Sequence, residues 1–129
     1  AMNLKKVYSD ESKISKETVD RYYELMLREG NRKATIDRLS TARNMAVDFE
    51  RLKMPTLILW GENDTWIPVS QAYLLEKAIP GSKLILFPNV GHVPMEEIPT
   101  ESVSAYLSFL GVEVRKDYLQ APNFVSYAD

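Results

Sequence analysis

Asp64 and His92 are the residues of this 129-residue chain whose types and settings suit proton transfer. Asp64 lies in LILWGENDTWIP (residues 57–68), just past an apolar run, and His92, the chain's one histidine, lies in NVGHVPMEEIP (residues 89–99), just past another. A carboxylate beside an imidazole fixes the ring tautomer and stabilises its charged form, which a general base needs when it takes a proton from a hydroxyl. Such a pair serves a nucleophile. Each residue alone also has a plainer role, Asp64 as a turn former in Gly-Glu-Asn-Asp and His92 as a loop residue beside a glycine.

The elements around the pair decide whether the two residues can meet. TLILW (residues 56–60) and KLILF (residues 83–87) are continuous apolar runs, the second set between the turn Pro80-Gly81 and Pro88. Unbroken rather than alternating apolarity predicts parallel strands covered on both faces. Between them Pro68 suits a first helical turn, and Ala72, Leu75, Ala78 and Ile79 make an apolar stripe, so the segment reads as a strand, helix, strand unit. Pro99 and Thr100 open a further helix whose Val103, Tyr106, Leu107 and Leu110 are expected to face the core, with Gly111 as its stop. Ligands bind at the carboxyl ends of parallel strands, and both Asp64 and His92 follow their strand at that edge.

Upstream, Ser15 is placed to cap a helix through about residue 29, with Val19, Tyr22, Tyr23 and Met26 on one face. Gly30 and Asn31 end it, and a second helix carries Ile36, Leu39, Ala42 and Ala46 along one side. The expected organisation is therefore a helical region over residues 1–54, an α/β segment over 55–110 and a tail over 111–129 without clear periodicity.

Composition narrows the chemistry. Sixteen basic and eighteen acidic residues leave a net charge of −2 with the cations scattered, which argues against a nucleic-acid partner. With no cysteine and one histidine, the chain is poorly equipped to ligate a transition metal, and no cofactor is expected. No apolar run is long enough for a membrane span, no signal-peptide pattern is evident, and the expected setting is cytoplasmic.

The two motifs resemble those of the α/β-hydrolase superfamily. WGENDTWIP is similar to the family's segment after strand seven, with Gly61, Asp64 and Pro68 in register. GHVPMEEIP is similar to the segment after strand eight, with Gly91, His92, Glu97 and Pro99 in register. The resemblance implies a partial α/β-hydrolase fold, a helical lid followed by parallel strands, with Asp64 as triad acid and His92 as triad base. It implies that Glu97 and Pro99 shape the start of the last helix, and it prefers Asp64 over nearby Glu62 as the acid. Residues 2–50 look like the family's lid, where Tyr22, Tyr23, Met26 and Leu27 are candidates to line an apolar acyl or aryl pocket, although such spacing also suits simple packing.

The family's nucleophile sits in a Gly-x-Ser-x-Gly elbow. The five glycines, at 30, 61, 81, 91 and 111, enclose no such elbow, and none of the ten serines stands at a strand-to-helix turn; Ser82 precedes its strand. The chain thus looks like the C-terminal part of an esterase- or lipase-like hydrolase acting on a small apolar ester, inactive alone. The alternatives are a non-catalytic association module or relic, and a parent epoxide hydrolase or dehalogenase with an aspartate nucleophile. A homo-oligomer is expected, through the edge of TLILW or by exchange of lid helices.

Overall fold

The computed structural model describes residues 4–41 and 47–112. In chain order these form α1 (Leu4–Val7), α2 (Lys16–Leu27), α3 (Asn31–Ser40), β1 (Leu57–Gly61), α4 (Ser70–Ala78), β2 (Lys83–Phe87), α5 (Pro94–Glu97) and α6 (Pro99–Phe109), with 3-10 turns at Glu11–Lys13 and Phe49–Arg51. Helices precede a parallel two-stranded sheet, in the order that the sequence leads one to expect.

The two apolar runs pair in parallel from Leu57 opposite Lys83 to Gly61 opposite Phe87. α4 makes the crossover, packing its fully buried Ala72 and the buried Ile79 at its end against the strands. Its start differs slightly from expectation. Pro68 accepts a hydrogen bond from Gln71 N–H in a turn that leads into the helix at Ser70. Coverage of the strands is also thinner than their apolarity predicts. Ile58 and Phe87 are buried, whereas Leu57, Leu59, Leu84, Ile85 and Leu86 are half-buried, because the described helices do not cover both faces.

α6 meets the expected face in part. Val103 and Leu107 are half-buried, whereas Tyr106 and Leu110 are exposed and Ser102 is the buried residue of the helix. Gly111, at φ 71°, ends this helix in the left-handed region that favours glycine.

Ser15 caps α2 as its position predicts, accepting a hydrogen bond from Thr18 N–H, and Gly30, at φ 81°, turns the chain into α3. α2 and α3 pack on each other as a hairpin, and Thr18 is the residue of the pair that is buried. Ala42 and Ala46 of the expected second helix, and the tail from residue 113 on, lie outside the described residues. The part of the helical region that joins the core most closely is its start: Leu4, Val7 and Tyr8 are buried together with Ile58, Phe87 and Val90.

Candidate functional site

β1 and β2 end side by side, so the loops that follow them leave the same edge of the sheet. Asn63 N–H donates to the Val90 carbonyl at 2.9 Å and Glu62 N–H to the Phe87 carbonyl at 3.0 Å, which holds the two loops together beyond the strands. Gly61 makes this approach feasible. A Cβ there would stand 2.1 Å from the Gly91 carbonyl oxygen.

At this edge His92 Nδ1 lies 2.7 Å from Asp64 Oδ2, closing 28 residues of sequence. An ionised carboxylate only accepts, so Nδ1 carries the proton and Nε2 is the nitrogen left for chemistry. The other oxygen, Oδ1, accepts from Trp66 N–H at 2.8 Å and Ile67 N–H at 2.9 Å, which fixes the carboxylate in the plane it needs. The Asp64 side chain is 4% exposed and that of His92 29%, so the acid is shielded while the base reaches solvent. Glu62 is exposed, its backbone N–H serving the sheet edge.

Two neighbours of the pair had only a local signal in the sequence. The Trp66 ring lies 5.3 Å from the His92 ring at 45°, forming a wall beside the imidazole. Glu97, 3% exposed, does more than begin a helix. Its carboxylate accepts from Gly91 N–H at 2.7 Å, Asp10 N–H at 2.9 Å and Ser9 N–H at 3.2 Å, binding the loop that carries His92 to the start of the chain.

The four candidate pocket residues separate. Tyr22 is half-buried and donates its hydroxyl to Glu96 Oε1 at 3.1 Å. Tyr22 and Met26 also line a cavity of about 410 Å³ with Leu25, Asn31, Ala34, Thr35 and Arg38, between α2 and α3. Tyr23 and Leu27 are exposed, at 64% and 53%. A second cavity of about 260 Å³ is walled by Tyr8, Lys13, Thr18, Arg21, Met95, Glu96 and Pro99. Neither cavity has Asp64 or His92 in its wall.

In the wall of the second cavity, Glu96 gathers Tyr8 Oη at 2.7 Å and Arg21 at 2.9 Å as well as Tyr22. Burial first, and the Glu96 hydrogen bond second, hold the Tyr8 phenol well above the ordinary tyrosine value. Burial and the Glu96 charge raise Tyr22 likewise. Among the described residues no group of three or more His, Asp or Glu is placed to hold a metal ion, and no helix is long and apolar enough to cross a membrane.

A sequence profile of the α/β hydrolase fold family matches residues 2–99. Lipase 1 of Psychrobacter immobilis is 38% identical over 60 residues, which are 46% of this chain and 19% of that lipase. The monoacylglycerol lipase ABHD6 of Mus musculus is 34% identical over 89 residues, 69% of this chain and 24% of the relative. Among solved structures, a serine hydrolase involved in carbazole degradation superposes with a TM-score of 0.74 at 30% identity, over 84% of this chain and 44% of that one. The matched segment is thus a fifth to a quarter of these two curated relatives' length.

Proposed function

The chain belongs to the α/β hydrolase fold family, and from that premise we propose that Asp64 and His92 are the acid and base of an ester-cleaving site. The observation that carries this reading is the 2.7 Å contact between His92 Nδ1 and a carboxylate already oriented by two backbone N–H groups. In this proposal Nε2 takes the proton of a serine hydroxyl as that oxygen attacks the ester carbonyl. Asp64 stabilises the imidazolium so formed, and the imidazolium then returns the proton to the departing alcohol. A water molecule activated by the same nitrogen releases the acyl group. The likeness to a serine hydrolase favours serine over aspartate as the nucleophile, and the likeness to lipases favours an ester as the substrate, which we take to be small and apolar.

The 129 residues hold no Gly-x-Ser-x-Gly elbow, so the nucleophile and the oxyanion donors are proposed to come from residues outside them. Residues 1–54 are proposed as a lid, 55–110 as the part of the core that supplies acid and base, and 111–129 as a tail. Tyr22, Tyr23, Met26 and Leu27 stay as proposed substrate contacts of the assembled site. Self-association through the open edge of β1 or by exchange of lid helices, and a cytoplasmic setting, complete the proposal.

Intact-mass spectrometry after incubation with a fluorophosphonate tests the division of labour, with His92→Ala in parallel. No adduct is expected on the chain alone. A stoichiometric adduct that disappears in His92→Ala would place an activated serine inside these residues and overturn the half-site reading. The acid–base assignment has its own test: grafting the chain onto the complementary portion of the carbazole-pathway serine hydrolase should give ester hydrolysis that Asp64→Asn and His92→Ala abolish. Hydrolysis that survives both substitutions would refute it.

A further inference from the structure

The segment Lys6–Asp10 crosses both loops that carry the dyad. On the acid side Thr65 Oγ1 donates to the Lys6 carbonyl at 2.9 Å and Asn63 Nδ2 to Ser9 Oγ at 3.0 Å, so the residues before and after Asp64 are both tied to this strap. On the base side His92 N–H donates to the Val7 carbonyl at 2.7 Å. Glu97 completes the tie. Its buried carboxylate accepts Gly91 N–H from the base loop and Ser9 and Asp10 N–H from the strap.

The fit leaves no slack. A Cβ on Gly91 would lie 2.4 Å from the Val7 carbonyl oxygen and 2.7 Å from Ser9 N, so strap and base loop are in backbone contact. The strap then leads directly into the lid region. Asp10 caps the Glu11–Lys13 turn, Lys13 Nζ reaches back to the Glu97 carbonyl at 3.1 Å, and Ser15 caps α2.

Resting on the reading of Asp64 and His92 as an acid–base pair, we infer that Glu97 is a positioning residue, which locks the Lys6–Asp10 strap onto the His92 loop and so sets the dyad's separation and couples it to α2. The Glu62 and Asn63 backbone bonds join the two loops where they leave the sheet, and the strap adds ties at the residues flanking Asp64 and at His92 itself. The strap is bonded to both, and a three-donor carboxylate is a strong way to hold it, because hydrogen bonds to an ionised acceptor exceed neutral ones. A displacement of α2 is transmitted through the strap to the imidazole.

The test uses the 15N-labelled 129-residue chain and follows the His92 Nδ1 proton by NMR, together with amide exchange. In Glu97→Gln, exchange of the Nδ1 proton and of the Ser9, Asp10 and Gly91 amides should rise roughly tenfold or more, the scale of one lost charge-assisted bond, with α4 and α6 amides unchanged. Thr65→Val removes an exposed side-chain tie on the acid side, so it leaves the fold intact and should also speed Nδ1 exchange. Should Glu97→Gln fail to fold, Glu97→Asp, which keeps the charge but draws it back from the Ser9, Asp10 and Gly91 amides, is read in the same way. Unchanged Nδ1 exchange in a folded variant overturns the coupling while leaving the dyad standing. Absence of a hydrogen-bonded Nδ1 proton in the unaltered chain, or its persistence in Asp64→Asn, overturns dyad and strap together.

Discussion

Asp64 divides its two oxygens between duties, and that division makes a sharp prediction. Oδ1 serves Trp66 and Ile67 N–H, so in Asp64→Asn the amide oxygen will take that side, leaving the NH2 group facing His92 Nδ1. Two donors then oppose each other, and the imidazole should switch to the tautomer with its proton on Nε2. The expected outcome is a changed 15N pattern for His92 in the isolated chain and, in an assembled hydrolase, a loss of about 10⁴ in kcat, as a wrong tautomer causes in serine proteases. An unchanged tautomer would mean that Asp64 does not orient the ring. Tyr8 gives a pH dependence. Its raised folded value means that the native state holds the phenolic proton more tightly than the unfolded chain does. The contribution is present in full below the ordinary tyrosine value of about 10 and is lost as pH rises from there through the higher folded value. Thermal unfolding should therefore fall steeply above about pH 10, and Tyr8→Phe should flatten that slope. An equal slope in the variant would assign the alkaline loss elsewhere.

At the scale of elements, the parts of the site that the sequence discloses are those coded by neighbours. TLILW and KLILF announce β1 and β2 by unbroken apolarity, and Asp64 and His92 each follow a strand within a few residues, so their meeting at one sheet edge is legible. Glu97 was legible as a motif position and not as a clamp, because its strap partners lie 87 and 88 residues away and no local pattern marks them. The face of α6 is legible only in part for a related reason: Val103 and Leu107 are half-buried as the stripe predicts, but tertiary packing buries Ser102, which no apolar stripe would select. The glycines separate these two kinds of cause experimentally. Gly91→Ala must push Val7 and Ser9 away and should cost about 1–3 kcal/mol, or several degrees in melting temperature. Gly81→Ala meets open space, and its φ of 74° leaves only backbone strain of about 1–2 kcal/mol, without disturbing His92. Calorimetry combined with the His92 Nδ1 resonance distinguishes them, since only the first should perturb the ring. Glu96 plays the matching role for the lid region. It receives Arg21 and Tyr22 from α2 and Tyr8 from the strap, in a hairpin whose other side chains are almost all exposed. Glu96→Ala should therefore speed amide exchange across α2 while β1 and β2 stay protected, and equal protection of α2 would show that its few apolar contacts suffice.

Across the whole molecule the imbalance lies between apolar surface and cover. Leu57 and Leu59 are half-buried in β1, and Tyr23, Leu27, Ile36 and Leu39 stand exposed on the α2–α3 hairpin. Each large apolar side chain left in water forgoes about 1.5–3 kcal/mol of burial. The hydrogen-bond pattern shows which groups of β1 are open. The Thr56 carbonyl accepts from Lys83 N–H and Glu62 N–H donates to Phe87, so even-numbered residues bond to β2 and the N–H groups of Leu57 and Leu59 point to the outer edge. Among the described residues no strand pairs with this edge, and an edge so left, flanked by half-buried leucines, is a template for another strand. At about 10 µM the chain should sediment as a dimer or larger, a concentration at which a standard-sized interface is commonly formed. Leu59→Pro removes one outward N–H without touching a bond to β2, a substitution that an edge strand tolerates. If association proceeds by strand pairing, this variant should sediment as a monomer. A dimer that persists in Leu59→Pro would instead assign association to exchange of the α2–α3 hairpin, and a wild-type chain that is monomeric at this concentration would show that the exposed leucines need no partner.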